Sequence, residues 1–581
     1  MKKILSIFIV LLLIVGCSSP KPTTDGDSDE KVIEVVGKGH SEGLELKVTF
    51  KDNKITNVEV VNHQETDGVS DAAMEEIPKL IVEHNSVKID AIAGATETSD
   101  GIINAVIEAI EKAGLKVDDF MKETGSKTEG KDVEYETDVV VLGGGIAGVA
   151  AAVEAQENGA DVILLEKMPV TGGSTAMSGG LILAAESSIS KKLGNTDTWQ
   201  ELADYWYKVS EEKADKEYIE LAAKMSGENI DWMIENGVDM KEELTKLHSS
   251  HEFEFGHRTA GYDDVPAGGG AGFTKPLTEK IKENGGQVLT QTPALELIVE
   301  DGVVTGVKAT NNNGDNITIK AKAVVIATGG YAASAEMMNE YSPYVKGADQ
   351  VHGGNTGNTG DGITMGKQVD AQMEFNNSSI TLSLNTPTYY GYGEGFTGLY
   401  VLPNGERFIN ETEFHFVRSR ALMEMDINDI WAISVNGTDA EKAAVEAGTA
   451  FEASSIEELA ELTDMDVETL KATIEKYNQA AEAGVDEEFG KDAQYLTKIE
   501  GDTYYALKMF MGNSGTIGGL VTTIDGEVLN NSGEVVKGLF AAGEVANAKL
   551  YYRGYPGSGT AIALYIAFGR VAGKAAAESV K

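Results

Sequence analysis

A run of small residues, Gly143-Gly144-Gly145-Ile146-Ala147-Gly148, follows the apolar stretch Thr137-Asp138-Val139-Val140-Val141-Leu142 and leads into an Ala/Val-rich segment that reaches Asn158. Glycines at such a turn let the backbone come close to a pyrophosphate, and the N–H groups that open the next helix are ready donors to it. A second apolar run over 162–165 ends on Glu166, an acid about twenty residues on, where it can take a ribose hydroxyl. Strand, turn, helix, strand and acid in that order make the βαβ unit that holds a dinucleotide. Cys17 is the only cysteine, so iron–sulfur clusters, disulfides and c-type haem attachment lack their ligands. The redox chemistry of this chain is therefore expected to be organic, with no metal centre.

Other elements must surround that unit. A length of 581 residues points to about three or four domains. Leu44-Glu45-Leu46-Lys47-Val48-Thr49-Phe50 alternates, Lys51-Asp52-Asn53-Lys54 is turn-like, and 55–61 alternates again, which predicts a hairpin. Apolar spacing predicts an amphipathic helix over 101–113. Residues 122–134 are polar and charged, as a linker would be. At the start of the chain, Lys2 and Lys3 precede an apolar run over 4–15 that has signal-peptide length and is too short to span a bilayer. Residues 18–30, rich in Ser, Pro, Thr and Asp, read as a flexible tether. Lys+Arg of 48 against Asp+Glu of 93 gives a net charge of -45, which excludes nucleic-acid binding by charge.

Three resemblances add to this reading. Asp90-Ala91-Ile92-Ala93-Gly94-Ala95-Thr96-Glu97-Thr98 resembles the motif of FMN-binding domains that carry their flavin covalently, which implies a phosphoester from the Thr98 hydroxyl to FMN, made by a flavin transferase. Ile14-Val15-Gly16-Cys17 resembles a bacterial lipobox, which implies lipidation of Cys17 and anchorage on the extracytoplasmic face of the cell membrane. Thr171-Gly172-Gly173-Ser174-Thr175, Ala327-Thr328-Gly329-Gly330, Thr359-Gly360-Asp361-Gly362, Ala542-Gly543-Glu544 and Gly559-Thr560-Ala561-Ile562 resemble, in order, the FAD segments of the fumarate reductase and flavocytochrome c family, with its urocanate reductase and 3-ketosteroid dehydrogenase relatives. That last likeness covers about 133–581. It implies an α/β multidomain fold: a Rossmann-like FAD domain interrupted by an α+β capping domain, behind a small α+β FMN-binding domain.

The expected plan is a signal peptide over 1–17, a tether over 18–30, an FMN-binding domain over 31–115, a linker over 116–134, FAD-binding segments over 135–375 and 503–581, and a cap over 376–502. By the same resemblance, non-covalent FAD is held by Gly143, Gly145, Ala147, Gly148, Glu166, Lys167, Gly172, Gly173, Ser174, Thr175, Gly179, Gly180, Thr328, Gly329, Asp361 and Glu544, with Gly559 and the backbone of Ala561 and Ile562 near the pyrimidine edge. Gly268-Gly269-Gly270-Ala271-Gly272 reads as a further flavin-contacting turn.

The substrate residues of fumarate reductases are mostly missing. Asn404-Gly405-Glu406-Arg407-Phe408-Ile409-Asn410-Glu411 matches the run before that family's catalytic arginine, but the arginine's own place falls on His415, with Arg418 one turn further on. The family's carboxylate site falls near Tyr390, Gly391 and Glu394, its paired histidines on Ser514-Gly515-Thr516, and its late arginine on Pro556. Tyr555-Pro556-Gly557-Ser558-Gly559 instead resembles the ketosteroid dehydrogenase motif, in which the tyrosine hydroxyl and the second glycine N–H bind a carbonyl oxygen. Two fixed donors there suit an enone, because hydride addition at the β-carbon drives charge onto that oxygen. The acid that completes the reaction is sought among Tyr390, flanked by Tyr389 and Tyr392, and His415 or Arg418. A tyrosine of pKa ~10 keeps its proton at neutral pH, whereas a histidine of pKa ~6.5 is largely neutral there.

The expected protein is a reductase of conjugated carbon–carbon double bonds, supplied through the tethered FMN by a membrane or extracellular electron donor. Its rivals are a reductase of unsaturated carboxylates using Arg418 or Arg553, and an electron-carrier lipoprotein with no organic substrate of its own.

Overall fold

The structure, a computed structural model, describes residues 30–65, 70–89, 91–92, 95–122, 130–246, 253–260, 269–343, 345, 354–381, 384–385, 395–427 and 429–581. Cys17, Gly268, Tyr389, Tyr390, Gly391, Tyr392 and Glu394 lie outside the described residues.

The predicted hairpin forms from strands Glu42–Lys51 and Lys54–Asn62. Asp52 and Asn53 take φ of 50° and 58°, the left-handed pair that a tight hairpin needs and that Asp and Asn tolerate. Strand Lys31–Lys38 adds to the outer edge in antiparallel register. Alternation sends Leu44, Leu46, Val48 and Phe50 to one face, where helices Asp71–His84 and Thr96–Lys112 cover them. The second helix begins at Thr96, ahead of the expected 101, so Thr98 lies in its first turn. A short 3-10 turn, Val117–Phe120, also joins this unit: the Phe120 carbonyl accepts the Val87 N–H at 2.8 Å and its ring meets Phe50 edge-on. The unit thus runs past the expected boundary at 115.

Five parallel strands form the centre of the eight-stranded sheet, in the order Val535–Ala541, Asn316–Ile326, Asp132–Leu142, Val162–Leu165 and Gln287–Leu289. The first of these in the chain, Asp132–Leu142, has later strands on both sides, so its carboxyl end opens at a topological switch point where a crevice forms. Val139 and Val141 join the core on one face, and Val140 and Leu142 the core on the other. Helix Ile146–Glu157 crosses the first of these faces and packs on the C-terminal helix Thr560–Ser579. That contact is backbone-close: a Cβ on Gly569 would lie 2.4 Å from the Ala147 carbonyl oxygen, and one on Gly573 2.2 Å from that of Ala151.

The cap is a separate five-stranded antiparallel sheet of Leu384–Asn385, Tyr504–Met511, Asp429–Val435, Leu399–Val401 and Ala450–Ala453. Its central strand is Tyr504–Met511, which the sequence plan places in the second FAD segment. The cap therefore extends beyond 502, because residues 504–510 of that strand pair with Asp429–Val435. Met373–Ser379 and Thr516–Leu520, the segments leading into and out of the cap, pair with each other and tie it to the FAD unit.

Candidate active site

The crevice at the carboxyl end of Asp132–Leu142 is a partly open cavity, with about 790 Å³ of space free of protein atoms that includes some open solvent. It is lined by Gly143, Gly145, Ala147, Glu166, Lys167, Gly173, Ser174, Thr175, Thr328, Gly329, Asp361 and Glu544 from the expected set. A Cβ on Gly145 would find nothing nearer than 3.9 Å, so the open space of the cavity reaches the backbone itself. At Gly143, by contrast, φ is 106° and a Cβ would strike the Ala327 carbonyl oxygen at 2.3 Å. The Thr328 hydroxyl lines the cavity, is buried, and has no hydrogen-bond partner among the described residues. A pyrophosphate-bearing dinucleotide fits these features. It needs close backbone approach at a helix N-terminus and gives buried polar atoms a partner.

Two acids of this cavity, Glu166 and Glu544, are strongly desolvated. Glu166 accepts the Gly144 and Met168 N–H groups, each at 2.7 Å, and burial nevertheless raises its pKa. Glu544 accepts the Thr516 N–H at 2.8 Å and the Thr516 hydroxyl at 3.0 Å, and burial pushes its carboxyl up to about 7. Lys167 bridges Thr359 and Asp361 at 2.7 and 2.8 Å. Asn355 and Asn358, absent from the expected set, also line the cavity; the Asn355 N–H and the Asn358 side-chain amide both donate to the Ser174 hydroxyl. They stand just before the Thr359-Gly360-Asp361-Gly362 segment, and polarity next to a glycine turn was their only signal. Gly172, Gly148, Gly179 and Gly180 act behind the wall: a Cβ on Gly180 would meet Gly269, so those two turns interlock.

At the N-terminus of Thr560–Ser579, Gly559 caps the helix with φ 87°, and its carbonyl accepts the Leu183 N–H. Tyr555 is 5% exposed, and its hydroxyl oxygen accepts the Ala561 N–H at 3.1 Å. Ala561, expected to point its N–H at a flavin edge, thus spends that donor on Tyr555, and Ile562 is buried beside it. The bond leaves the phenol proton available to an acceptor, and burial raises the phenol pKa, so it stays a donor. Tyr205 closes the other side by donating to the Pro556 carbonyl.

His415 opens the cap helix His415–Glu424, and its ring centre lies 6.2 Å from that of Tyr555. The structure therefore brings together two of the residues proposed for substrate chemistry, one from each side of the cap junction. Arg418 lies one turn on, 7% exposed, with Nη1 3.4 Å from both the Tyr400 hydroxyl and the Glu411 carbonyl. Its Nε has no hydrogen-bond partner, and no carboxylate pairs with it among the described residues. The nearby Glu411 carboxylate is committed to Arg407 and Lys491, at 2.8 and 3.1 Å. Arg553 is exposed and lies over Tyr552, so it is no pocket arginine.

Sheet order, crevice and buried acid define a dinucleotide-binding fold, and the chain belongs to the FAD binding domain family, whose profile matches residues 138–562. An FMN-binding domain matches residues 39–111. The chain thus carries two flavin-binding domains. It is 29% identical to an NADH:acrylate oxidoreductase of Vibrio harveyi over 94% of its own length, and spans 61% of that protein. It is 29% identical to a urocanate reductase of Eggerthella lenta, covering 97% of this chain and 96% of the relative. Among solved structures, an open flavocytochrome c3 fumarate reductase superposes with a TM-score of 0.63 at 27% identity, covering 80% of this chain and 84% of that one. A 3-ketosteroid-Δ4-(5α)-dehydrogenase of Rhodococcus jostii gives 0.62 at 26% identity, covering 78% and 100%.

Proposed function

We propose that this protein reduces a carbon–carbon double bond conjugated to a carbonyl group, on the extracytoplasmic side of a membrane to which Cys17 anchors it. Bound FAD would supply the hydride, and FMN carried covalently on Thr98 the electrons that replenish it. The observation that carries the reading is the buried Tyr555 hydroxyl, fixed by the Ala561 N–H at the positive end of a 20-residue helix. A fixed neutral donor of this kind favours the state in which charge has moved onto the substrate oxygen, and contributes about 10²- to 10³-fold. The Gly559 N–H is the second donor to that oxygen. Protonation of the α-carbon falls to Tyr390 or His415.

One observation favours a narrower class, the unsaturated carboxylates, to which acrylate and urocanate belong. Arg418 is a buried guanidinium with no described carboxylate partner, and burying a lone charge is costly unless a ligand neutralises it. In this version Arg418 grips the carboxylate while Tyr555 faces the same end of the substrate.

The decisive assay is anaerobic reoxidation of the reduced protein against simple enones, cinnamates, acrylate, fumarate and urocanate. Tyr555→Phe should keep its FAD and lose about 10²-fold in turnover. Arg418→Lys should leave enone turnover intact if the substrate is a neutral enone, and abolish turnover if it is a carboxylate. Turnover of every acceptor insensitive to Tyr555→Phe would remove the reading. The same assay finds the acid: whichever of Tyr390→Phe and His415→Gln stops turnover, with flavin reduction unchanged, marks the donor.

A further inference from the structure

Thr98 does not point into open solvent. It is 3% exposed, and its hydroxyl donates to Oε2 of Glu65, itself 5% exposed and on a different segment of the unit. The same carboxylate accepts the Ser41 N–H at 2.8 Å and the His40 N–H at 3.2 Å. Glu65 therefore stands between the hydroxyl and the turn over residues 39–41, and that turn is seated on the same helix: a Cβ on Gly101 would lie 2.8 Å from the Gly39 Cα. Ser99, the next hydroxyl, is committed to the backbone, donating to the Ala95 carbonyl at 2.8 Å and accepting the Ile92 N–H at 3.0 Å. Thr96 is exposed.

Resting on the reading that FMN is carried by Thr98, we propose that Glu65 positions the Thr98 hydroxyl and takes its proton when the phosphoester forms. In that step Thr98 Oγ1 attacks the phosphorus of the FMN half of FAD, presented by a flavin transferase. The bond from that phosphorus to the bridging oxygen breaks, AMP leaves, and the hydroxyl proton passes to Glu65. No electrons change hands. A threonine hydroxyl is a weak nucleophile on its own, and a positioned carboxylate base contributes typically 10²- to 10⁴-fold. The N-terminus of the 17-residue helix Thr96–Lys112 favours the incoming phosphate at this position.

The burial of Thr98 makes the device conditional. Thr98 and Glu65 are both buried, so the donor reaches the hydroxyl only when this part of the unit opens. Sequence distance hides the pairing, since Glu65 and Thr98 lie 33 residues apart.

The test is attachment kinetics on the full chain, with a flavin transferase and FAD as donor, read by intact-protein mass and by peptide mapping. Glu65→Gln keeps size and an acceptor oxygen but takes no proton. It should lower the maximal attachment rate by about 10²-fold with the KM for FAD unchanged, while the melting temperature and the content of non-covalent FAD match wild type. Glu65→Asp should recover at least a tenth of the wild-type rate. Attachment to Glu65→Gln at the wild-type rate, a loss expressed only in KM, or a folded Glu65→Asp no faster than Glu65→Gln would overturn the role of Glu65. Failure of the underlying reading looks different: wild type without an adduct, or an adduct that survives in Thr98→Ala.

Discussion

Glu544 shows how much a single residue's chemistry depends on what surrounds it. From sequence it is an acid after an Ala-Gly pair; in the structure it is buried against Thr516, Gly330 and Gly515, with its carboxyl raised to about 7. The folded state then holds this proton more tightly than the unfolded chain, whose glutamates titrate near 4.5. Between those values the native protein binds more protons than the unfolded one, so stability is greatest below the window and falls as pH rises through it. Flavin-free protein should lose roughly 1–3 kcal/mol across that range on this account. Glu544→Gln, neutral at every pH, should flatten the slope, and urea melts at about pH 5 and about pH 8 measure the difference. An equal slope in wild type and variant would place the titrating group elsewhere. His257 is the contrasting case: burial drives it down to about 4, and it sits between the Ser187 hydroxyl and the Phe255 carbonyl as a neutral structural group.

Among the elements, the helix Thr560–Ser579 bears most directly on the site, because one end carries Tyr555 and Gly559 while its middle packs on the helix that opens at Gly145. Two effects compete at Gly569. Gly→Ala in a helix interior adds about 1 kcal/mol by propensity. Against this, a Cβ there would lie 2.4 Å from a backbone oxygen of the partner helix, a contact that no side-chain rotation relieves. Overpacking of this kind costs typically 1–3 kcal/mol. Gly569→Ala should therefore destabilise on balance and lower FAD retention, since the displaced helix is the one whose N-terminus faces the cavity. A melting temperature at or above wild type would mean that the helices separate more easily than their contact implies. The cap strand Tyr504–Met511 makes the complementary point: the strand that follows the expected end of the cap completes its sheet, and only pairing with Asp429–Val435 reveals it.

At the scale of the whole molecule, the N-terminal unit meets the FAD unit through few described polar contacts, Lys275 with Asp71 at 3.4 Å and Gln291 with Glu76 at 2.6 Å. The ion pair is exposed, and such pairs contribute about 0–1 kcal/mol and are screened by salt. Asp71→Lys, which sets two cations together, should slow electron transfer between the flavins by no more than a few-fold, measured by stopped-flow at low salt and lost at high salt. Thr98→Ala should abolish turnover driven by a donor that enters through FMN, and spare turnover driven by a small viologen that reduces FAD directly. Loss of both would mean that Thr98 supports the fold of the FAD unit, or its contact with the N-terminal unit, rather than the relay. The proposed anchor is tested by partition: wild-type protein made with the lipoprotein pathway should follow membranes, and Cys17→Ser should remain an unlipidated precursor.

The sequence alone determined whatever rests on neighbours along the chain. Alternation marked the hairpin, the buried run 162–165 became strand Val162–Leu165, and the glycines after Leu142 were read as a backbone cradle, because period and φ preference are properties of a few consecutive residues. The FMN domain was legible for the same reason, through one contiguous motif, and the FAD domain through several short motifs, each local in the chain. Only the tertiary structure decided which distant groups share a dry space. It set Glu65 on Thr98, His415 beside Tyr555, and the Ala561 N–H on the Tyr555 hydroxyl, and it left Arg418 buried without a described counter-ion. Hydrogen bonds and desolvation depend on distance and water exclusion, which a linear pattern does not encode.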